Sequence, residues 1–187
     1  MTGSPVTPKR SAPSPAELRA MILETGAVRF GRFVLTSGAE SDVYVDIKQV
    51  WTRPERLEML ARAFAARVGP DDLLAGMELG AVPLVVATAL GTGRPYVIVR
   101  KGERSHGTGR RIEGELRAGA RVLVLEDVTT SGGSLVETVR LLREAGATVE
   151  RAVTVVDREA GARERLRAVG VELEALASLT DLRGVPA

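Results

Sequence analysis

Residues 122–139 read VLVLEDVTTSGGSLVETV. Apolar residues run directly into two adjacent acids, Glu126 and Asp127, and these give way to a patch of hydroxyls and glycines from Thr129 to Ser134. Beyond Gly133 the pattern turns helical. A continuous apolar run is the signature of a strand covered on both faces, and such a strand followed by a helix is the repeating unit of a parallel α/β sheet.

The same rhythm extends in both directions. Upstream, a strand at 73–77 (LLAGM) precedes an apolar helix from Pro83 to Leu90. A strand at 96–100 (YVIVR) then leads into a long charged loop, 101–112. Downstream, a helix over 133–145 stops at Gly146, a strand at 151–157 (RAVTVVD) precedes the helical stretch REAGARERLRAVG, and a last strand, ELEALAS, closes the chain. Ligands of an open parallel sheet sit beyond the carboxyl ends of its strands, where Glu126 and Asp127 are expected to lie.

The N-terminal part reads differently. Residues 1–13 are rich in Pro, Ser and Thr and have little to bury, which predicts a disordered tail. Order is expected from Ser14, with Ser14 as N-cap, Pro15 at the first helical position and Glu17 completing a capping box. The run VRFGRFVLTSGAESDVYVDIKQV predicts two short strands around a polar turn at Ser37 and Gly38. Leu57, Leu60, Ala61 and Phe64 then recur at helical spacing. The whole of 14–187 is expected to form one domain.

Composition removes several functions. Of 187 residues, 44% are hydrophobic and 27% charged, and the net charge of +2 gives no reason to expect a nucleic-acid partner. The absence of cysteine excludes disulfides, thiolate catalysis and Cys-based zinc sites, and fits a reducing, cytoplasmic setting. No apolar run reaches the roughly 18 residues of a membrane span, and the N-terminus carries no apolar secretion segment. His106 is the only histidine, so a multi-His metal site is excluded. Lys9, Lys48 and Lys101 are the only lysines among many arginines.

The chemistry of the opening stretch follows from its two ends. Backbone N–H groups at a helix start, unobstructed at Gly132 and Gly133, form an anion site, and the hydroxyls of Thr129, Thr130, Ser131 and Ser134 add donors. Carboxylates would repel a phosphate, so Glu126 and Asp127 face vicinal sugar hydroxyls or a metal held by the ligand. A phosphorylated sugar satisfies both ends. A plain strand-turn-helix with an N-cap serine would account for Gly132 and Ser134 but not for paired acids followed by consecutive hydroxyls. Neither a Walker loop nor a complete G-x-G-x-x-G is present.

Two acids followed by V-T-T-S-G-G-S resemble the phosphoribosyl-pyrophosphate (PRPP) loop of type I phosphoribosyltransferases. The resemblance implies an α/β fold with a central parallel sheet, helices on both faces and a small N-terminal hood built mainly from 14–50. It also implies ribose hydroxyls on Glu126 and Asp127, and the 5′-phosphate on the loop from Val128 to Ser134. Three further stretches resemble the orotate phosphoribosyltransferases. RKGERSHG is similar to their R-K-x-x-K-x-H-G flap, with Arg104 where lysine is usual; it places Arg100, Lys101, Arg104 and His106 against PRPP, with Arg110 and Arg111 behind. FVLTSGAESDVYVDIK is similar to the hood segment that covers the base, with Thr36 where many members carry lysine. There Tyr44 either stacks on the pyrimidine or is a strand aromatic of the core. VVDREAG is similar to the D-R-x-E segment whose arginine contacts orotate, which here is Arg158. Arg158 is expected at a helix start, where the dipole offers an arginine nothing, so an anionic ligand is its natural partner. Thr130 is implied on the orotate side as well. GMELGAVPL resembles the pyrophosphate loop, with Gly80 and Pro83 shaping a tight turn. Trp51 is read as packing.

The implied reaction moves 5-phosphoribose from PRPP to N1 of orotate, giving orotidine 5′-monophosphate and pyrophosphate. Asp127, Lys101 and Arg104 would be catalytic, and Mg2+ would be held mainly by PRPP rather than directly by the protein. The family also implies a homodimer that shares the flap 101–112 between subunits. A phosphoribosyltransferase for another base, or a PRPP-binding regulator of the same fold, are the alternatives.

Overall fold

The structure, a computed structural model, describes residues 11–34, 40–102 and 111–184. Helix α1, Pro15–Glu24, starts as its capping box dictates. Ser14 Oγ accepts from the Glu17 amide at 3.2 Å, while Glu17 Oε2 accepts from the Ser14 amide at 2.7 Å. Strands β1, Val28–Val34, and β2, Glu40–Val45, pair antiparallel, with Val28 opposite Val45 and Phe30 opposite Val43. The turn expected at Ser37 and Gly38 lies outside the described residues, as do residues 1–10 of the expected tail. A single-turn helix α2, Lys48–Trp51, follows, then α3, Pro54–Ala65. Trp51, the last residue of α2, packs on the core.

The main sheet is laid down next. Its elements are β3, Asp72–Met77; α4, Ala81–Thr92; β4, Tyr96–Val99; β5, Ile112–Glu113; β6, Arg121–Thr129; α5, Gly133–Glu144; β7, Thr148–Asp157; α6, Ala162–Ala168; β8, Glu172–Ser178; and α7, Leu179–Arg183. Strand order is β5-β4-β3-β6-β7-β8. All neighbours are parallel except β4 and β5. The central sheet is parallel as expected, with one antiparallel strand, β5, added at its edge. The chain leaving β4 returns beside it as β5, so the charged loop read as 101–112 closes on a strand at Ile112.

Alternate residues of the central strands feed two cores. Leu74, Leu123, Leu125, Val153 and Val155 pack with Ile22, Phe64 and Leu84 from α1, α3 and α4. Leu73, Ala75, Val122, Val124 and Ala152 pack on the other face with Leu135 and Val139 of α5 and Leu166 of α6. Each fully buried aliphatic side chain contributes roughly 1.5–3 kcal/mol. Coverage on both faces is why these strands read as unbroken apolar runs, and it leaves the carboxyl ends of β3, β6 and β7 as the open edge.

Candidate active site

Strand β6 continues through Thr129, two residues past the acids, so Glu126 and Asp127 lie among its last residues. The ladder to β7 sets Glu126 beside Thr154 and Thr129 beside Asp157. Glu126 is buried and Asp127 half-buried. Glu126 Oε1 accepts from the Asp127 amide at 3.1 Å, and Asp127 Oδ1 from the Val128 amide at 2.7 Å. Burial, and then the negative charge of Asp127, push the Glu126 carboxyl up to about 8; the Lys101 ammonium acts in the opposite sense. Lys101, just after β4, thus acts electrostatically on Glu126.

The loop after β6 opens helix α5 with Gly132 as N-cap, at φ +76°. A Cβ there would sit a tight 3.1 Å from the Ala162 backbone, and the left-handed conformation itself favours glycine. No side chain caps α5, and the N-cap serine of the simpler reading is not found. Its first amides therefore form a ready site for an anion. Thr130, Ser131, Gly133 and Ser134 are exposed around them. Thr129 differs from expectation, because its side chain is buried and it offers the site only backbone. Val128 beside it is half-buried.

Across from this loop, the β3–α4 connection brings Glu78 and Gly80 to the same edge. Gly80 is the N-cap of α4, at φ −63°. A Cβ on Gly80 would overlap the Asp127 carboxylate. Pro83 falls in the first turn of α4. Glu78 Oε1 accepts from the Lys101 amide at 2.8 Å, and Glu78 Oε2 lies 3.8 Å from Arg100 Nε. The Arg100 amide donates to Arg111 O at 2.8 Å. Arg111 Nη2 returns a bond to Arg100 O at 2.9 Å and pairs with Glu137 at 2.8 Å. Arg100 and Arg111 therefore form a closed neck from which the flap leaves and returns. Arg104, His106 and Arg110, like Thr36 in the hood, lie outside the described residues.

Arg158 follows β7 at this edge. The helix expected to begin there starts only at Ala162, after Gly161 in a left-handed conformation, so Arg158 sits in a loop and not at a helix start. The Arg158 amide donates to Thr129 O at 2.9 Å, tying this loop to the end of β6. Arg158 Nε is buried and has no hydrogen-bond partner among the described residues. Such a donor is costly unless something accepts from it. Its charge also reaches the hood. Asp42 is held below the usual carboxylate range first by its bond to Arg183, and the Arg158 guanidinium contributes to the same lowering. Arg158 thus stands between the loop of β6 and the hood. Tyr44 is not a core aromatic: it lies opposite Arg29, with the Arg29 guanidinium 5.1 Å from its ring centre and the Phe33 ring 5.7 Å away. No described contact joins Tyr44 to Arg158.

Sequence reasoning missed Gly80 as the clearance for Asp127, Glu78 as the partner of the flap root, and Glu159, described below. All act through contacts distant in sequence. A groove of about 1160 Å³ lies elsewhere, between α3 and α4, lined by Leu57, Ala61 and Leu90 among others. It holds none of the convergent polar groups found at the strand ends, and those groups make the strand ends the candidate site. No described helix is long and apolar enough to cross a membrane.

The description of the phosphoribosyl transferase domain matches residues 49–173. An orotate phosphoribosyltransferase of Natronomonas pharaonis is 52% identical over 166 residues, covering 89% of this chain and 95% of the relative. One from Pyrococcus furiosus is 48% identical over 170 residues, covering 89% and 93%. The crystal structure of Mycobacterium tuberculosis orotate phosphoribosyltransferase in complex with PRPP superposes with a TM-score of 0.75 at 31% identity, covering 91% of this chain and 99% of that one. Matched along nearly its whole folded length, with the acid pair, the hydroxyl-glycine loop and Arg158 gathered at one sheet edge, the chain belongs to the phosphoribosyltransferase family and, within it, to the orotate phosphoribosyltransferases.

Proposed function

We propose that this protein transfers the 5-phosphoribosyl group of PRPP to N1 of orotate, a step of pyrimidine biosynthesis, with the residues at the carboxyl ends of β3, β6 and β7 in the following roles. The bond from C1′ to the pyrophosphate oxygen breaks, a bond from C1′ to N1 forms, and the proton of N1 leaves with the solvent or the pyrophosphate. Charge develops on a sugar that passes through an oxocarbenium-like state and on the departing pyrophosphate. No protein nucleophile is needed, so positioning and charge stabilisation carry the rate.

The uncapped amides of α5, with Thr130, Ser131 and Ser134, bind the 5′-phosphate. Glu126 and Asp127 bind the ribose hydroxyls. Glu126, raised to about 8, is a neutral acid near pH 7 and both donates and accepts, while Asp127 accepts. Lys101 and Arg104, with Arg100 and His106, take the charge of the pyrophosphate. Arg158 forms its fork with the orotate carboxylate, which distinguishes orotate from uracil and the purines. Tyr44 and Thr130 complete the wall around the base.

Magnesium belongs to this reading. The paired carboxyls fit it, because one is raised partly by the other's charge and a cation would relieve that repulsion. Two carboxyls are too few for an all-protein site, so PRPP oxygens would supply the remaining ligands, and the bound ion would neutralise charge on the pyrophosphate. The reading also includes a cytoplasmic setting and a homodimer in which the flap 101–112 serves the neighbouring subunit. Mixing Asp127→Asn and Arg104→Ala proteins tests the sharing: activity returns if a hybrid dimer holds one site with neither lesion, and stays absent, after verified exchange, if the flap acts within its own subunit.

The observation that carries the acceptor assignment is the buried, unpartnered Nε of Arg158, tied through its amide to the end of β6. Pyrophosphate release measured with orotate, uracil, adenine and hypoxanthine side by side tests it. Release with orotate alone is expected; equal release with uracil contradicts it.

A further inference from the structure

Glu159 is the one described non-glycine residue with a left-handed backbone, at φ +55°. It directly follows Arg158. A glutamate adopts this conformation at a cost, and such a conformation persists where surrounding contacts over-determine it. Here they do. The Glu159 amide donates to Asp157 Oδ1 at 2.9 Å. Asp157 is itself fully buried, and its Oδ2 accepts from Arg163 Nε at 2.9 Å. On the other side of the loop, Glu159 Oε2 accepts from both the amide and the hydroxyl of Thr180, at 2.8 and 2.7 Å.

Thr180 belongs to α7, and α7 leads to the hood. Arg183 at its end pairs with Asp42 of β2 and lies 5.2 Å from the centre of the Phe30 ring of β1. The short helix thus joins the loop that carries Arg158 to the segment expected over the base. Arg158 has only its amide bond to Thr129 to fix it from the β6 side, since its Nε finds no described partner.

We infer that Glu159 is a positioning residue for the acceptor: by clasping Thr180 of α7 it holds the 158–161 loop in the conformation that presents the Arg158 guanidinium to the acceptor's carboxylate. This rests on the reading of Arg158 given under Proposed function. Glu159 touches no substrate. Its loss acts on acceptor binding through Arg158 and spares the PRPP side, which is built on β6, α5 and the flap.

Steady-state kinetics of Glu159→Ala, Glu159→Gly, Glu159→Gln and Thr180→Val, beside Arg158→Ala, test this. Glu159→Ala raises the orotate KM about 3- to 30-fold, the range for one or two lost hydrogen bonds. The PRPP KM stays within about twofold. Glu159→Gly gives the same loss although glycine relieves the positive φ, because the clasp and not the backbone conformation is what matters. Glu159→Gln recovers most of the affinity, since its amide oxygen still accepts from Thr180. Thr180→Val, which removes one of the two donors, gives part of the loss, and adding it to Glu159→Ala costs little more. Should Glu159→Ala fold poorly, Glu159→Gln and Thr180→Val carry the comparison. If Arg158→Ala raises the orotate KM while Glu159→Ala and Thr180→Val leave it unchanged, Glu159 has no such role and the reading of Arg158 stands. Full activity of Glu159→Gly would reduce Glu159 to a backbone feature and overturn the inference. An unchanged orotate KM in Arg158→Ala overturns both.

Discussion

The α-carbon of Gly80 faces the carboxylate of Asp127 so closely that a methyl group on Gly80 would overlap it. Two segments that sequence separates, the start of α4 and the end of β6, thereby share one volume at the sheet edge. The glycine is not required by its backbone, since φ −63° suits any residue. It is required by the neighbouring acid.

Gly80→Ala should therefore fold with nearly wild-type stability, because Asp127 is half-buried and can swing aside. Its carboxylate would then miss the ribose hydroxyls. Misplacement by about 1 Å can cost on the order of a hundredfold in rate, so a loss of tenfold to a hundredfold in kcat/KM for PRPP is expected. Circular dichroism and thermal melting check the fold, and initial rates check the loss.

Glu126 links stability to pH. Its folded pKa, about 8, lies above the ordinary value of 4.5, so the folded state holds a proton that the unfolded state has released. The contribution is fully present below about pH 4.5 and declines as pH rises from there through about 8. Glu126→Gln carries no such proton. Melting temperatures of both proteins from pH 5 to pH 9 should show the wild type losing stability relative to the variant across this window. Parallel curves would contradict the buried, proton-holding environment.

Asp72 predicts the reverse separation, stability without catalysis. It is buried at the opposite end of the sheet, where Oδ2 accepts from the Gly69 amide at 2.7 Å and from Arg151 Nη2 at 2.8 Å. Asp72→Ala leaves these donors without their acceptor. Arg151 is partly solvated, which softens the loss to about 2–4 kcal/mol of unfolding free energy. Denaturant melts should show it, while both substrate KM values should be unchanged below the transition.

What the sequence disclosed follows the range of the interactions. Ser14 and Glu17 are three residues apart, and their capping box was legible because both bonds are local. The strand, loop and helix around Glu126 were legible because burial on both faces writes an apolar run. The two residues of β5 are too few to carry a period, so the antiparallel edge was not legible. The start of α6 was misplaced because the left-handed Gly161 delays the helix beyond a stretch that is otherwise helical in composition. α7 did carry a signal, a capping box between Ser178 and Asp181, hidden by the apolar strand that precedes it. The contacts of Gly80 with Asp127 and of Glu159 with Thr180 have no local signature, since each joins residues more than 20 positions apart through the tertiary fold.

The central claim is that Arg158 selects the acceptor by pairing with its carboxylate. Orotate and PRPP KM values of Arg158→Ala, measured in one assay, test it most directly. A charge-assisted bond of roughly 1.5–3 kcal/mol corresponds to about ten- to more than a hundredfold in affinity, so the orotate KM should rise within that range while the PRPP KM stays nearly constant. Arg158→Lys should recover only part of the loss, since a point charge cannot make the two-pronged contact. An equal weakening of PRPP and orotate would place Arg158 on the phosphates or in the scaffold and contradict the account.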